Sequence, residues 1–307
     1  MALTLLEIGA QYGTTTLKAG VLKVMAQNSP ILDRLKFKTV DGNAYQHQIE
    51  TALPAHQFRG VGGGYTRGSG ARRKITENVS IMGAEVFIDN FELRVAANKG
   101  DLKASKFDEM ARGVALGWDT IFFEGDTNAN LHGVNGLRKR ISGNQLLYVA
   151  TDGGPLTIAL MDQLLDLVTT PGKLLYMNRT LRRKVTTLVR AAGGSMRVET
   201  TLDKYGKQVT AYDEVTIHVV ERTDDGSTTL DYDETRGSSD VTASIYCLSF
   251  GDEKYVFGLM GVGGSFDVKD LGESEIAPGV IGRIEWYPGL MIGHPRCSGR
   301  LGGITNA

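Results

Sequence analysis

Apolar positions change their spacing several times along the 307 residues, and each change marks an element. Between Asp101 and Glu124, the apolar or small residues Ala104, Phe107, Ala111, Val114, Trp118, Ile121 and Phe122 recur at the spacing of one helical face. Lys103, Lys106, Asp108, Glu109, Arg112 and Asp119 fill the other positions. The pattern predicts a helix with Asp101 as N-cap and Gly125 as its end. At about 1.5 Å per residue it spans roughly 30 Å or more, enough to act as the backbone of a flat domain. A second amphipathic helix is predicted from Leu156, Ala159, Leu160, Leu164, Leu167 and Val168, stopped by Pro171-Gly172. Lys173 to Met177 reads as a short buried strand. Asn178 then caps a third helix, with Leu181, Val185, Leu188 and Val189 on its apolar side and Gly193-Gly194 at its close. Further strands are predicted at 208–212, 215–221, 245–250, 255–259, 265–268, 282–287 and 290–293.

The first 90 residues differ in character. Residues 1–43 offer one short helix, Leu17 to Ala26, and an Ile31 to Leu35 piece after Ser29-Pro30. So little apolar surface cannot offset the entropy of ordering, so the segment must lie across something else. Tyr45 to Thr51 and Ile75 to Phe87 both alternate as strands do. Between them runs a glycine-rich stretch, Arg59 to Lys74, with five positive residues (Arg59, Arg67, Arg72, Arg73, Lys74) and no acid. The reading is a long two-stranded excursion with a basic, glycine-rich tip. Because an isolated hairpin is marginal in water, its partner is expected on another molecule.

Composition narrows the function. Hydrophobic residues make up 41% and charged residues 22%, with a formal net charge of -1, which fits a globular protein and not a dedicated nucleic-acid binder. Thirty-nine glycines against seven prolines imply many turns and loops. Cys247 and Cys297 make neither a disulfide framework nor a metal site and read as buried thiols. No secretory signal and no stretch of about 20 apolar residues is present, so a soluble protein of a reducing cytoplasm, with no membrane partner, is expected.

The residues give no persuasive catalytic set. His47, His56, His132, His218 and His294 are scattered, and His132 reads as a turn residue. The glycines of 60–70 lack the Gly-Lys-Ser/Thr ending of a phosphate loop. Asp126, Asn128 and Asn130 alternate as in a calcium loop, but Leu137 stands where the bidentate acid belongs. No cofactor and no metal are expected. An acidic block from Glu221 to Asp240 includes Asp224, Asp225, Asp231, Asp233 and Glu234. The basic and acidic blocks are two solvated loops or, on the functional reading, contacts that orient subunits. The cations of the third helix, Arg179, Arg182, Arg183, Lys184 and Arg190, read as a solvated face.

The order of these parts, together with particular stretches, resembles the Hong Kong 97-type capsid fold of tailed bacteriophages. Phe122 to Asp126, running on to Leu131-His132-Gly133-Val134-Asn135-Gly136-Leu137, is similar to the family's turn after the spine helix. Leu174 to Arg182 resembles the strand-into-helix step of the axial domain. Ile245 to Gly251, Gly282 to Leu290 and Pro295 to Ile304 resemble the closing strands. The resemblance implies an α+β fold with an N-terminal arm (1–44), an extended loop (45–90) and a peripheral domain with the spine helix (91–150). An axial domain (151–243) and returning peripheral strands (244–307) would complete it. It implies a major capsid protein, not an enzyme, whose copies form pentamers and hexamers and close around packaged double-stranded DNA, touched only non-specifically. Arm and loop would cross onto neighbours, with Phe107, Val114, Trp118, Ile121 and Phe122 as the core of the spine helix. Portal and decoration proteins are implied partners. The absence of an acidic helical prefix points to a separate scaffolding protein or none. An encapsulin-like compartment, another virion part and an enzyme are the competing readings.

Overall fold

The computed structural model describes residues 2–12, 16–96, 99–193, 198–202, 208–220, 226–261 and 266–306. The chain opens with β1 (Leu3–Thr4), α1 (Leu5–Tyr12), α2 (Thr16–Asn28) and β2 (Lys36–Thr39). Leu5, Ile8, Val21, Leu22, Met25, Ile31, Leu32, Leu35 and Phe37 are all buried, and they join the main core of the same subunit. This corrects the expectation that the arm crosses onto a neighbour. Its apolar residues, though few, converge on one side of α2 and the following turn, where the subunit's own body covers them.

The excursion follows as β3 (Ala44–Ala52) and β4 (Ala71–Asn78), paired antiparallel from Ala44↔Asn78 to Ala52↔Ala71. The predicted second strand is in fact two. After Ser80 the chain enters β5 (Met82–Asp89), which leaves the ribbon and joins another sheet. Then come α3 (Asn90–Val95), capped by the Asp89 side chain, and the spine helix α4 (Lys99–Glu124). The helix therefore begins two residues before the predicted cap Asp101. Gly125 ends it as expected, because a Cβ there would strike the carbonyl oxygens of Ile121 and Val134. The turn closes with Gly136 N–H donating to the Gly125 carbonyl at 2.8 Å.

Next come α5 (Leu137–Arg140), β6 (Leu146–Tyr148), α6 (Ile158–Leu167), β7 (Lys173–Met177) and α7 (Arg179–Ala191). Thr157 and Asn178 cap α6 and α7. The remaining strands are β8 (Val198–Leu202), β9 (Gln208–Tyr212), β10 (Val215–Val219), β11 (Glu234–Arg236), β12 (Ser239–Ser249), β13 (Val256–Met260), β14 (Phe266–Glu273), β15 (Gly279–Trp286), β16 (Pro288–Ile292) and β17 (Ser298–Thr305).

Among the described residues the strands form four sheets: β1-β2-β13-β16, the ribbon β3-β4, β14-β15-β5, and an eight-stranded sheet in the order β6-β17-β12-β7-β10-β9-β8 with β11 on β12. Strand β12 runs across the 243/244 division drawn from the sequence. Alternate side chains of this strand serve two cores. Tyr246 and Leu248 join the core around α4, whereas Ala243, Ile245 and Cys247 join the core beneath α6 and α7. The two halves of the subunit thus share a strand that is buried from Thr242 to Ser249.

Candidate assembly surfaces

The ribbon is anchored only at its base. Tyr45, Ile75 and Val79 pack against Val40, Phe257, Leu259 and Met291, and the Tyr45 ring meets Phe257 edge-on at 6.0 Å. His47 Nε2 lies 3.1 Å from the Gly293 carbonyl, and Ser80 N–H donates to Pro288 at 2.9 Å. Arg140 clamps Glu77 with a two-pronged ion pair, one prong at 2.8 Å. A cleft of about 270 Å³ lies between ribbon and body, lined by Ile49, Arg73, Arg140 and Pro295 among others.

From Thr51 to Lys74 every residue is exposed. Arg59, Arg67, Arg72, Arg73 and Lys74 all face solvent. Arg72 approaches Glu50 at 3.7 Å, and Arg59 donates to the Gly63 carbonyl at 3.1 Å while lying over the Tyr65 ring. Leu53, Phe58, Val61 and Tyr65 are exposed beside them, and Phe58 is 98% exposed. This apolar content of the tip went unread in the sequence.

The acidic block fares differently. Asp224 and Asp225 lie outside the described residues. Asp231 and Asp233 are exposed. Glu234 is not a contact residue: it is 4% exposed on β11, and Arg300 donates to its carboxylate at 2.7 Å. Arg300, itself 6% exposed, also donates to Ser244 Oγ at 3.0 Å and to the Arg138 carbonyl at 3.3 Å. A carboxylate held by a buried guanidinium is spent inside the fold and cannot greet a neighbour. Nearby, burial and then the Asp233 carboxylate push Glu124 above its ordinary value.

On the spine helix Phe107, Val114, Trp118 and Phe122 are buried as expected, and Ile121 is partly buried against them. Trp118 meets Trp286 edge-on at 4.9 Å. Two assignments are corrected. Ala104 is exposed, and Asp119 is not on the polar face but 1% exposed. Ser29 Oγ donates to Asp119 while accepting from the Leu32 N–H at 3.0 Å, so this pair fastens the arm to the spine. Burial pushes the Asp119 carboxyl well above the usual carboxylate range, against the pull of the Ser29 hydrogen bond.

The residues weighed for chemistry sit apart. His132 is exposed in its turn, and Asp126 is held by Lys139 at 2.8 Å and by the Asn128 N–H at 2.9 Å, a turn arrangement. Burial pushes the Cys247 and Cys297 thiols up to about 12, which keeps them protonated and inert. Among the described residues no group of three metal-ligating side chains converges, and no helix is long and apolar enough to cross a membrane.

Comparison with known proteins gives this geometry a context. The family model "Major capsid protein GP7" matches residues 14–151. No curated protein matches the sequence. Solved structures match over nearly the whole chain. The SrpI encapsulin of Synechococcus elongatus PCC 7942 shares 12% identity with a TM-score of 0.63, covering 90% of this chain and 88% of that one. A chain of Mycobacterium phage Adephagia shares 10% identity with a TM-score of 0.61, covering 90% and 89%. The capsid of the native GTA particle shares 13% identity with a TM-score of 0.59, covering 91% of each chain. The family match over the arm, ribbon and spine, joined to an architecture shared over nine-tenths of the chain, supports a capsid shell protein built on the Hong Kong 97-type fold.

Proposed function

We propose that copies of this chain form pentamers and hexamers that close into an icosahedral phage head around double-stranded DNA. The observation that carries this reading is the ribbon. More than twenty consecutive residues stand clear of the body, with large apolar side chains in water and only the base fastened down. Such a segment costs solvation free energy in the isolated subunit and regains it on a neighbouring copy. The peripheral domain would comprise β5 to β6 and most of the returning strands, and the axial domain α6 to β11. The role is structural and non-enzymatic. The shell would assemble in the host cytoplasm, with portal, scaffolding and decoration proteins as further partners.

A second reading, an encapsulin-like compartment, is favoured by the match to the SrpI encapsulin. Negative-stain images of purified protein, followed by analysis of the contents, separate the two. Shells filled with DNA support the head, and shells filled with a co-purifying enzyme support the compartment. Deleting residues 60–70 is expected to leave a folded subunit that makes no closed shells. Normal particles from that variant would remove the ribbon from the assembly mechanism.

A further inference from the structure

Helix α7 places cations where helix physics disfavours them. Between Asp166 and Glu199 the chain has seven cations and no acid, in a protein whose 34 cations are matched by 35 acids. Five of the seven stand on α7. Arg179 and Arg182 occupy its first turn, the end at which the helix dipole favours anions. Arg179 also meets Arg182 and Arg183 as like charges three and four positions on, with no acid on the helix to relieve them. Lys184 is turned toward the fold, donating to the Thr305 carbonyl at 3.1 Å and lying over the Tyr232 ring. Arg183 and Arg190 are exposed and make no ion pair among the described residues. They lie two turns apart on one face, with the exposed Thr187 between them.

Beside this stripe is a groove of about 470 Å³ between α7 and the turn that leads into α6. Pro155, Leu156 and Leu188 give it an apolar floor, and Arg183, Thr180 and Thr187 stand on its wall. The groove arises because Leu181, Val185 and Val189 are buried in the core beneath α7, which leaves Leu188 at the boundary, only partly covered. Apolar floor and cationic wall together select the occupant. A nucleic-acid backbone would pair with the guanidiniums but has nothing to seat on Leu156 and Leu188. An amphipathic helix with acidic flanks satisfies both, its apolar side chains in the groove and its carboxylates on the arginines.

We propose that α7 and the 155–156 turn form a docking groove for an acidic amphipathic helix of a separate protein. Its Asp or Glu side chains pair with Arg183 and Arg190, and its apolar side chains lie against Leu188 and Pro155. The arginines set orientation and encounter rate, and the apolar floor supplies the contact. No part of the ribbon takes part, so this groove can fail without the shell reading failing, and the reverse.

The probe is a fluorescein-labelled peptide of about 15 residues, roughly four helical turns, with Leu on one face and Glu on its flanks. Anisotropy with the intact chain should show saturable binding. Arg183→Glu with Arg190→Glu should weaken it by at least about tenfold at low salt, with an unchanged far-ultraviolet spectrum because both positions are exposed. Leu188→Gln should weaken it separately, and the arginine pair keeps the test decisive if that variant does not fold. Both native cysteines are buried, so a benzophenone placed on Thr187→Cys should cross-link to the peptide. No binding by the parent chain, equal binding of a scrambled peptide of the same composition, or unchanged affinity in the arginine variant each overturns the groove. A short DNA duplex that displaces the peptide, and whose own binding is lost with the arginines but not with Leu188, would make α7 a phosphate-binding face and overturn it as well.

Discussion

Arg300 and Glu234 provide the sharpest test of how the subunit holds together. Sequence spacing put Glu234 in a solvated acidic loop, whereas the fold buries it against Arg300, with their side chains 6% and 7% exposed. Arg300→Met removes the guanidinium and strands a carboxylate whose remaining partners are Ser244 Oγ and, at 3.9 Å, the partly exposed Arg138. Breaking a buried pair from one side costs about 3–5 kcal/mol. Arg138 offers partial compensation, so about 3 kcal/mol is expected. Glu234→Leu strands the guanidinium instead, which keeps its bonds to Ser244 and to the Arg138 carbonyl. A cost of about 3 kcal/mol is expected there also. The double variant removes both charges and places two apolar side chains beside Tyr246 and β12. Replacing a buried ion pair with apolar residues of similar size is often neutral or stabilising by about 1–4 kcal/mol. The double variant should therefore be no worse than either single change, and the cycle should show a coupling of at least about 3 kcal/mol. Urea denaturation of the unassembled subunit measures all four corners. Single variants within about 1 kcal/mol of the parent would show that Glu234 is solvated after all.

Two further substitutions probe the spine. Trp118→Ala removes a 1% exposed indole and its edge-on contact with Trp286. It should cost about 3–5 kcal/mol in the same denaturation assay, toward the low end because Trp118 Nε1 has no hydrogen-bond partner among the described residues. An unchanged midpoint would place that helix face elsewhere. Asp119 binds its proton more tightly folded than unfolded, so its contribution to stability falls as pH rises above the ordinary value of 3.8 toward the folded one. Asp119→Asn should match the parent near pH 4 and grow more stable relative to it toward pH 7, by up to about 1.4 kcal/mol per pH unit. A constant difference across that window would mean that the carboxyl is not desolvated.

What the sequence made legible was the local and periodic. The α4 stripe, the Asn178 cap, the Gly125 stop and the two buried thiols all follow from spacing or from a single residue's conformational needs. What it hid was long-range. Ser29 and Asp119 are 90 positions apart, and their mutual satisfaction in the core depends on α2 crossing α4. A lone Asp on a helix reads as solvated until its partner is known. Glu234 failed for the same reason, since Arg300 is 66 residues away. The arm was misjudged because counting its apolar residues says whether it folds alone, not where it lies. The exposed apolar end of the β14-β15-β5 sheet escaped because Phe87 with Phe91, and Ile276, belong to two distant stretches that only the strand register unites.

With the arm folded home, the ribbon is the part of the subunit left to reach outward, and this constrains symmetry. Its tip and the body of a neighbouring copy are different surfaces, so a contact between them is head-to-tail. Such a contact does not close as a twofold dimer: it closes as a ring when the rotation per copy divides a full turn, and otherwise runs on as a filament. Each copy in a ring both gives and receives one tip. The last contact then forms between copies already held together, at an effective concentration well above that in solution. Assembly intermediates should accordingly be monomers and complete rings, with few dimers between them. Native mass spectrometry at rising protein concentration reads this directly, and five- and six-membered species should appear while two-membered ones stay minor. A stable twofold dimer that persists after the tip is deleted would show that another, self-complementary surface leads assembly.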